Sequence, residues 1–227
     1  MSINQLVGAN DGTQEQSLSE IAYQRLRARI LEGALQQGSL IIERRISDAI
    51  GVSRTPLRAA LVRLEGEGLL ERLANGGVMI RRFSIDDLLQ ILTVRRALES
   101  EGAALATERM GAAAIELLRV DAADFAEGRN VDFEQFWRHD DALHSKIAEA
   151  SGEPLLSTMI ADLRSKARMC HVPSMPPNFV DQGVEHLRIL EALAGTDPEV
   201  SRREMQGHLR AVRGRLTKWL MRGDSDY

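Results

Sequence analysis

An aspartate and three histidines occupy positions from which they could bind one metal ion. Asp140 and His144 are four residues apart in FWRHDDALHSKIAEA, a spacing that puts both side chains on one helix face. His186 in VEHLRILEAL and His208 in REMQGHLRAV fall in two later helical segments. If these faces turn inward, one carboxylate and three imidazoles surround a cavity, and such a nitrogen-rich set suits Zn, Ni or another late divalent ion. The spacing alone leaves open that these are unrelated surface or capping histidines.

A second group of candidate residues is rich in arginine. The stretch GVSRTPLRAALVRLEGEGLL, residues 51–70, has apolar residues at helical spacing with arginines between them. In a helix-turn-helix, the N-terminal residues of the second helix face base edges in the major groove. Here these residues are Ser53, Arg54, Thr55 and Arg58. Arginine can pair with guanine through two hydrogen bonds, and serine or threonine can bond phosphate or base. The alternative is an ordinary solvated helix face.

The elements around this helix predict a winged helix-turn-helix. A first helix begins at a capping serine, Ser17, and a short helix, ERRISDAI, ends at Gly51. The arginine-rich helix begins with a second serine cap, Ser53, and stops near Gly66. Two β-prone runs follow, LLERLA and VMIRRF, joined by the Asn-Gly-Gly of residues 75–77, which tolerates the positive φ of a hairpin turn. Helix, helix, turn, helix and hairpin is the order of a winged helix.

The remainder of the chain shows only helical periodicity. Breaks occur near residues 111, 128–130, 151–154, 172–177 and 195–198, which divides the segment into about six helices. The predicted fold class is therefore mostly α, with an N-terminal winged helix-turn-helix and an all-α helical bundle after it. The predicted domains are a disordered leader, 1–16, the winged helix, 17–83, and the helical domain, 84–223.

Composition favours a folded, soluble and cytoplasmic protein. The 227 residues are 44% hydrophobic but only 4% aromatic, a mixture typical of helical bundles. No signal peptide or long apolar span is present, and a lone cysteine, Cys170, fits a reducing compartment and a small buried side chain. The net charge is −4, yet residues 1–83 hold eleven arginines against nine acidic residues. The N-terminal part is therefore the candidate partner for a polyanion.

The stretch LRARILEGALQQGSLIIERRISDAIGVSRTPLRAALVRLEGEGLLERLANGGVMI resembles the DNA-binding domain of the GntR family of bacterial transcription regulators. The matching elements are the Gly33 turn, Glu43-Arg44, Gly-Val-Ser-Arg-Thr-Pro-Leu-Arg, and Leu64-Glu65 before Glu67-Gly68-Leu69. The resemblance implies DNA contacts mainly from Arg44, Arg54 and Arg58, phosphate contacts from Ser53 and Thr55, and a wing approaching the minor groove through Asn75 and Gly76. The sequence departs from the family at Gln37-Gly38, where Pro-Gly is usual, and this loop is less stiff.

A second resemblance covers residues 84 to about 220. The segments around Asp140 and His144, His186, and His208 resemble, in order, the three metal-ligand motifs of the FCD effector domain, which follows the winged helix in FadR-type members. The preceding VRRALESEGAALAT resembles the opening helix of that domain. The resemblance thus implies that those four residues are metal ligands and that Arg95 reaches into the effector pocket.

Other polar residues of this part match no motif. His139 and His171 are interpreted as ordinary residues. The carboxylates Asp86, Asp87, Glu99 and Glu101 are interpreted as charges of the helix surface or of its N-terminal turn.

Taken together, these patterns predict a ligand-responsive transcription regulator. We expect a repressor that binds a palindromic operator in double-stranded DNA as a homodimer, with no enzymatic activity. Its expected ligands are one divalent ion, Zn or Ni, and a small organic acid whose carboxylate bridges the ion and Arg95. Two alternatives stay open, namely a metal sensor, in which the ion is the signal, and a metal-dependent enzyme.

Overall fold

A computed structural model describes residues 17–129, 132–170 and 178–221. The predicted disordered leader and the last predicted residues of the helical domain lie outside these ranges. The chain divides into two compact units, Met1–Arg82 and Phe83–Tyr227. The described residues contain no helix that is long and apolar enough to cross a membrane.

The first unit has the predicted order of elements. Its elements are α1 (Leu18–Leu31), α2 (Glu43–Ile50), α3 (Arg54–Gly66), β1 (Leu70–Arg72) and β2 (Val78–Ile80). Ser17 caps α1 by accepting a hydrogen bond from the backbone N–H of Glu20. Gly51 ends α2 in the left-handed region, with φ at +70°, which makes the sharp turn into α3. The winged helix-turn-helix prediction is confirmed.

Two local details differ from expectation. Ser53 lies at the N-cap position of α3, but its side chain makes no capping hydrogen bond, so its hydroxyl is not used by the helix. The strands are also shorter than the β-prone runs, because pairing extends only from Leu70 opposite Ile80 to Arg72 opposite Val78. The core of this unit is aliphatic, and Leu26, Leu57, Leu64, Leu69 and Ile80 are fully buried within it.

The second unit is a bundle of six helices within the described ranges, as the helical periodicity predicts. They are α4 (Ile85–Ala106), α5 (Ala112–Ala126), α6 (Phe133–Ala150), α7 (Pro154–Met169), α8 (Phe179–Leu193) and α9 (Pro198–Met221). Helix α4 begins with a capping box between Ser84 and Asp87 and packs against α6, α7 and α9. Leu143, Ile189 and Met205 lie at the centre of the shared core.

Helices α5 and α8 pack so closely that no side chain fits at Gly183. A Cβ at this position would lie 2.5 Å from the backbone nitrogen of Ala126 and 2.9 Å from the carbonyl carbon of Phe125. Neither atom can move without moving α5. His186 is one helical turn further along α8, and this contact therefore sets the depth at which His186 enters the bundle.

We expect Gly183→Ala to destabilise the helical unit. Overpacking against backbone costs about 1 to 3 kcal/mol, which exceeds the gain of about 1 kcal/mol that alanine brings to a helix interior. Thermal unfolding followed by circular dichroism measures the change. Gly214→Ala on α9 is the matched control, since nothing lies within 4 Å of a Cβ there. A Gly183→Ala variant as stable as Gly214→Ala would contradict the close approach of α5 and α8.

Candidate metal centre, effector cavity and DNA-binding surface

The four predicted metal ligands come together inside the helical bundle. Asp140 and His144 lie on α6, His186 on α8 and His208 on α9, and all four side chains are buried. One potential ligand atom from each lies within 4.8 Å of the others. On each helix these residues fall on the face that carries the buried core residues, at spacings of three and four. The same periodicity that packs the bundle therefore brings the ligands to one point.

Two Nε2 atoms at this point need a partner. Nε2 of His144 and Nε2 of His186 are buried and have no hydrogen-bond partner in the part of the chain that the structure describes. They lie 3.6 and 3.5 Å from the same oxygen, Oδ1 of Asp140. Burying a polar atom without a partner costs free energy. A divalent cation between these atoms would satisfy both nitrogens and the carboxylate, so the residues fit a metal ion.

The other nitrogen of each histidine lies next to a neighbouring side chain. Nδ1 of His208 lies 2.8 Å from Oε2 of Glu185, and Nδ1 of His186 lies 3.1 Å from Nε2 of His139. Nδ1 of His144 contacts Oε2 of Glu99. Such partners fix the ring orientation and the tautomer of metal-ligating histidines. In all three rings this leaves Nε2 for an ion.

Arg164 fixes the orientation of the Asp140 carboxylate, as the neighbouring side chains do for the histidine rings. This buried arginine on α7 donates a hydrogen bond of 2.6 Å to Oδ2 of Asp140 and another of 2.6 Å to Asp141. Burial alone would raise the pKa of Asp140, but the charge of Arg164 holds the pKa well below its usual range. The carboxylate of Asp140 is therefore favoured in its ionised form, with Oδ1 turned toward the histidines.

Burial favours the metal-binding form of two of the three histidines. Burial, aided by the neighbouring His208, lowers the pKa of His186 well below its usual range. Burial also lowers the pKa of His208, although Glu185 opposes this effect. Neutral imidazole is the ligand form, and both shifts favour it.

A cavity of about 180 Å³ opens beside the four side chains. Asp140, His208 and Arg95 all contribute to its wall. Arg95 is buried on α4 and donates from Nε to Oε1 of Glu99 at 2.5 Å, the one hydrogen bond it makes with residues in the described ranges. Its two terminal amino groups are thus left for a ligand in the cavity. Arg96 is half-buried and lines a separate surface depression.

The seven predicted DNA-contacting residues are all exposed on the winged helix. They are Arg44 on α2, Ser53 before α3, Arg54, Thr55 and Arg58 in the first turns of α3, and Asn75 and Gly76 in the hairpin turn. Arg44 and Arg54 form no ion pair with any residue that the structure describes, whereas Arg58 pairs with Glu43 at 3.0 Å. Arg54 is therefore more available for base contacts than Arg58.

The side chain of Asn75 stabilises the turn at the tip of the hairpin. Oδ1 of Asn75 accepts a hydrogen bond of 3.0 Å from the backbone N–H of Gly77, and Gly76 has a φ of +83°. The side-chain amide group of Asn75 remains available to a groove, and the tip carries no positive charge. This wing is suited to steric and hydrogen-bonded contact more than to phosphate neutralisation.

Each of the two units matches the model of a known protein family. The model of bacterial regulatory proteins of the gntR family matches residues 18–80, and the model of the FCD domain matches residues 90–211. The chain belongs to the GntR family. It is a DNA-binding transcription regulator with FadR-type architecture, and this family and fold are those of regulators, not enzymes.

Several relatives of this GntR regulator are similar over most of their length. It is 29% identical over 196 residues to an uncharacterized HTH-type transcriptional regulator in an unstable DNA locus of Streptomyces ambofaciens, covering 84% of this chain and 81% of the relative. A probable D-xylose utilization operon transcriptional repressor of Paenarthrobacter nicotinovorans is 28% identical, with 80% and 81% covered. The Glc operon transcriptional activator of Escherichia coli K12 is 27% identical, with 88% and 89% covered.

Solved structures support the fold. The Escherichia coli protein McbR/YncC aligns with a TM-score of 0.73 at 23% identity, covering 90% of this chain and 99% of that one. A GntR regulator from Rhodococcus sp. RHA1 aligns with a TM-score of 0.69 at 20% identity, covering 88% and 97%. These similarities extend over both units of the GntR regulator.

Four residues that contact the candidate metal ligands were not expected from the sequence. The interpretation of Glu99 as a surface charge is wrong, because Glu99 is buried between Arg95 and His144. His139, interpreted as an ordinary residue, is buried and contacts Nδ1 of His186, while His171 lies outside the described residues. The spacing of four residues between Arg95 and Glu99 could have predicted their ion pair on one helix face. Arg164 and Glu185 reach the cluster only through tertiary packing.

Proposed function

We propose that this GntR regulator is a ligand-responsive repressor whose helical unit binds one divalent ion and a small carboxylate. The ion would be held by Asp140, His144, His186 and His208, with Zn or Ni as the preferred metal because three ligands are imidazole nitrogens. The observation that carries the proposal is the pair of buried, unpartnered Nε2 atoms beside a cavity that also exposes Arg95.

The cavity offers a carboxylate two kinds of partner. An ion with four protein ligands has room for a ligand oxygen if it takes five or six partners, and it would supply a fixed positive charge there. The Arg95 guanidinium supplies a planar pair of donors that suits a carboxylate. Glu99 keeps this guanidinium in position through Nε. The effector would therefore bind between the ion and Arg95.

Regulation requires that the effector bind one state of the protein better than another. The only source of switching energy is this difference in affinity between the DNA-competent and DNA-incompetent states. Fluorescence anisotropy of labelled operator DNA, measured with apoprotein, with Zn-loaded protein and with Zn plus simple carboxylates, tests the proposal. An affinity that responds to carboxylate only when Zn is present supports it. A response to Zn alone would instead identify a metal sensor.

We expect Arg95→Ala to spare metal binding and to weaken carboxylate binding about ten- to a hundredfold, since hydrogen bonds to charged groups are worth about 1.5 to 3 kcal/mol. Calorimetric titration of Zn-loaded protein with acetate and benzoate measures the loss. Arg95→Lys keeps a positive charge beside the buried Glu99 and should show a smaller loss. Arg96→Ala is the matched control, because Arg96 is adjacent but outside the cavity. Equal losses in the Arg95→Ala and Arg96→Ala variants would remove Arg95 from the effector site.

We also expect a homodimer on a palindromic operator. One small winged helix makes few phosphate contacts, and two-fold symmetry lets each α3 read one half-site. Sedimentation analysis of the protein with and without operator DNA gives the stoichiometry, and footprinting gives the symmetry of the site. A monomer bound to a single asymmetric site would disprove this arrangement.

Increased reporter expression after gene deletion is the result expected of a repressor.

A further inference from the structure

The cavity beside the proposed metal centre concentrates the aromatic residues of the chain. The sequence contains five Phe, two Trp and two Tyr, and four of these nine line this cavity. They are Phe133, Phe136 and Trp137 from α6 and Phe179 from α8. The rings contact one another, with centroids 4.8 Å apart for Phe136 and Phe179 and 5.9 Å apart for Phe133 and Trp137. In a chain so poor in aromatic residues, this wall is a specific feature.

The rest of the wall is mainly aliphatic. Leu88 and Leu92 of α4, Ala167 of α7, and Leu209 and Val212 of α9 belong to it, whereas Asn178, Gln182 and Arg215 add polar groups. Buried apolar walls of this kind favour an apolar ligand group, because each buried CH₂ contributes about 0.8 kcal/mol. A ligand group placed against them must be uncharged.

The volume sets the size of that group. The cavity measures about 180 Å³, and an apolar cavity of about 150 Å³ in another protein accommodates benzene. One six-membered ring, or an alkyl group of similar volume, therefore fills the space, with a carboxylate at the end toward Arg95.

The charged groups of the wall offer a second ligand carboxylate no free partner away from the ion. Each arginine near the cavity is already matched by a carboxylate. The pairs are Arg95 with Glu99, Arg164 with Asp140, and Arg215 with Glu185. The uncompensated positive charge is then that of the bound ion. A second ligand carboxylate placed against the aromatic and leucine side chains would have no counter-charge, since Arg215 is already paired with Glu185, and burying it there is costly.

We propose that the effector is a monocarboxylate whose single apolar body, the size of one six-membered ring, is bound by the aromatic wall. Benzoate is the simplest member of this class. The inference rests on the proposed function, because it takes the carboxylate to bind at the ion and Arg95. Beyond that function, it specifies the class of acid that the cavity accepts and the residues that select this class.

Calorimetric titration of the full-length, Zn-loaded protein with four probes tests the selection. Benzoate has the ring and one charge, acetate lacks the ring, succinate replaces it with a second charge, and benzyl alcohol lacks the charge. We expect benzoate to bind at least tenfold more tightly than acetate and succinate, given about fourfold per buried CH₂. We also expect a more negative heat-capacity change for benzoate than for acetate, the marker of apolar burial.

Two variants address the wall directly. Ala167→Phe should fill the cavity and weaken benzoate at least tenfold while leaving acetate and Zn binding within about twofold. Ala161→Phe, on the exposed side of the same helix, is the matched control. If Ala167→Phe does not fold, Phe133→Ala serves instead, because Phe133 lines the cavity but is 42% exposed. This variant should weaken benzoate more than acetate.

The outcomes separate the two proposals. Acetate or succinate binding as tightly as benzoate overturns the inference and leaves the proposed function intact. Benzyl alcohol binding as tightly as benzoate overturns the carboxylate site of the proposed function, while the apolar cavity remains a binding site. Binding by none of the four probes overturns both. Tight benzoate binding that Ala167→Phe removes and Ala161→Phe retains supports both.

Discussion

Arg54→Ala should abolish specific operator binding while leaving the helical unit folded. Arg54 is exposed in the first turn of α3 and forms no ion pair with the described residues, so it is available for a guanine contact. Such a contact is worth about 1 to 3 kcal/mol of discrimination per half-site, and a dimer would lose it twice. The expected loss of operator affinity is therefore about thirtyfold to about twenty-thousandfold. Anisotropy titration with operator DNA and with random-sequence DNA measures it.

Two further variants show whether Arg54 reads a base or a phosphate. Arg54→Lys keeps the charge but not the paired donors, and it should retain non-specific affinity while losing operator preference. Arg63→Ala is the control on the same helix, because Arg63 lies over the Tyr23 ring, 3.5 Å from its centroid, and bonds Glu20 at 2.6 Å. It should affect stability more than specificity. A footprint with Arg54→Ala that matches the wild type would rule out α3 as the recognition helix.

His186→Ala should lower the affinity for Zn more than about a hundredfold, because loss of a second-shell partner alone costs about 10- to 100-fold. His186 is completely buried, and its Nε2 is one of the two Nε2 atoms of the cluster that have no hydrogen-bond partner among the described residues. Competition with a chromogenic chelator gives the affinity, and mass spectrometry gives the metal content. His139→Ala, which removes only the partner of Nδ1, should cost about tenfold.

The larger loss of Zn affinity expected for His186→Ala than for His139→Ala distinguishes a metal ligand from a residue that only orients a ligand. His186→Gln maintains most of the side-chain volume and checks that metal loss does not follow from a collapsed core. A stable His186→Gln variant with wild-type Zn affinity would exclude His186 from the site. Wild-type protein that holds no ion after reconstitution would exclude the site as a whole and leave the winged helix unaffected.

The winged helix could be predicted from the sequence because its signals are local. Ser17, Gly51 and the Asn-Gly-Gly turn each determine the backbone within a few residues, and the structure confirms the elements they delimit. The unused hydroxyl of Ser53 shows the limit of this approach, because residue type predicts the cap position but not whether the side chain bonds there.

The metal cluster depends on tertiary packing and could be predicted only in part. The spacing of Asp140 and His144 is a local signal, but their approach to His186 and His208 depends on how α6, α8 and α9 pack. The resemblance to a known family supplied that step. It gave no indication that Glu99 would be buried, because a carboxylate on a helix is usually exposed unless it is paired. Arg95 supplies this pairing from one turn away.

The side chains around the proposed ion come from five different helices. Glu99 belongs to α4, Asp140 and His144 to α6, Arg164 to α7, His186 to α8 and His208 to α9. An ion bound there would bind only the folded bundle, because the unfolded chain does not bring these helices together. By mass action it would raise the apparent free energy of unfolding, by about 2.7 kcal/mol at a free concentration one hundred times Kd. A melting temperature for this unit is then defined only together with the free concentration of the ion.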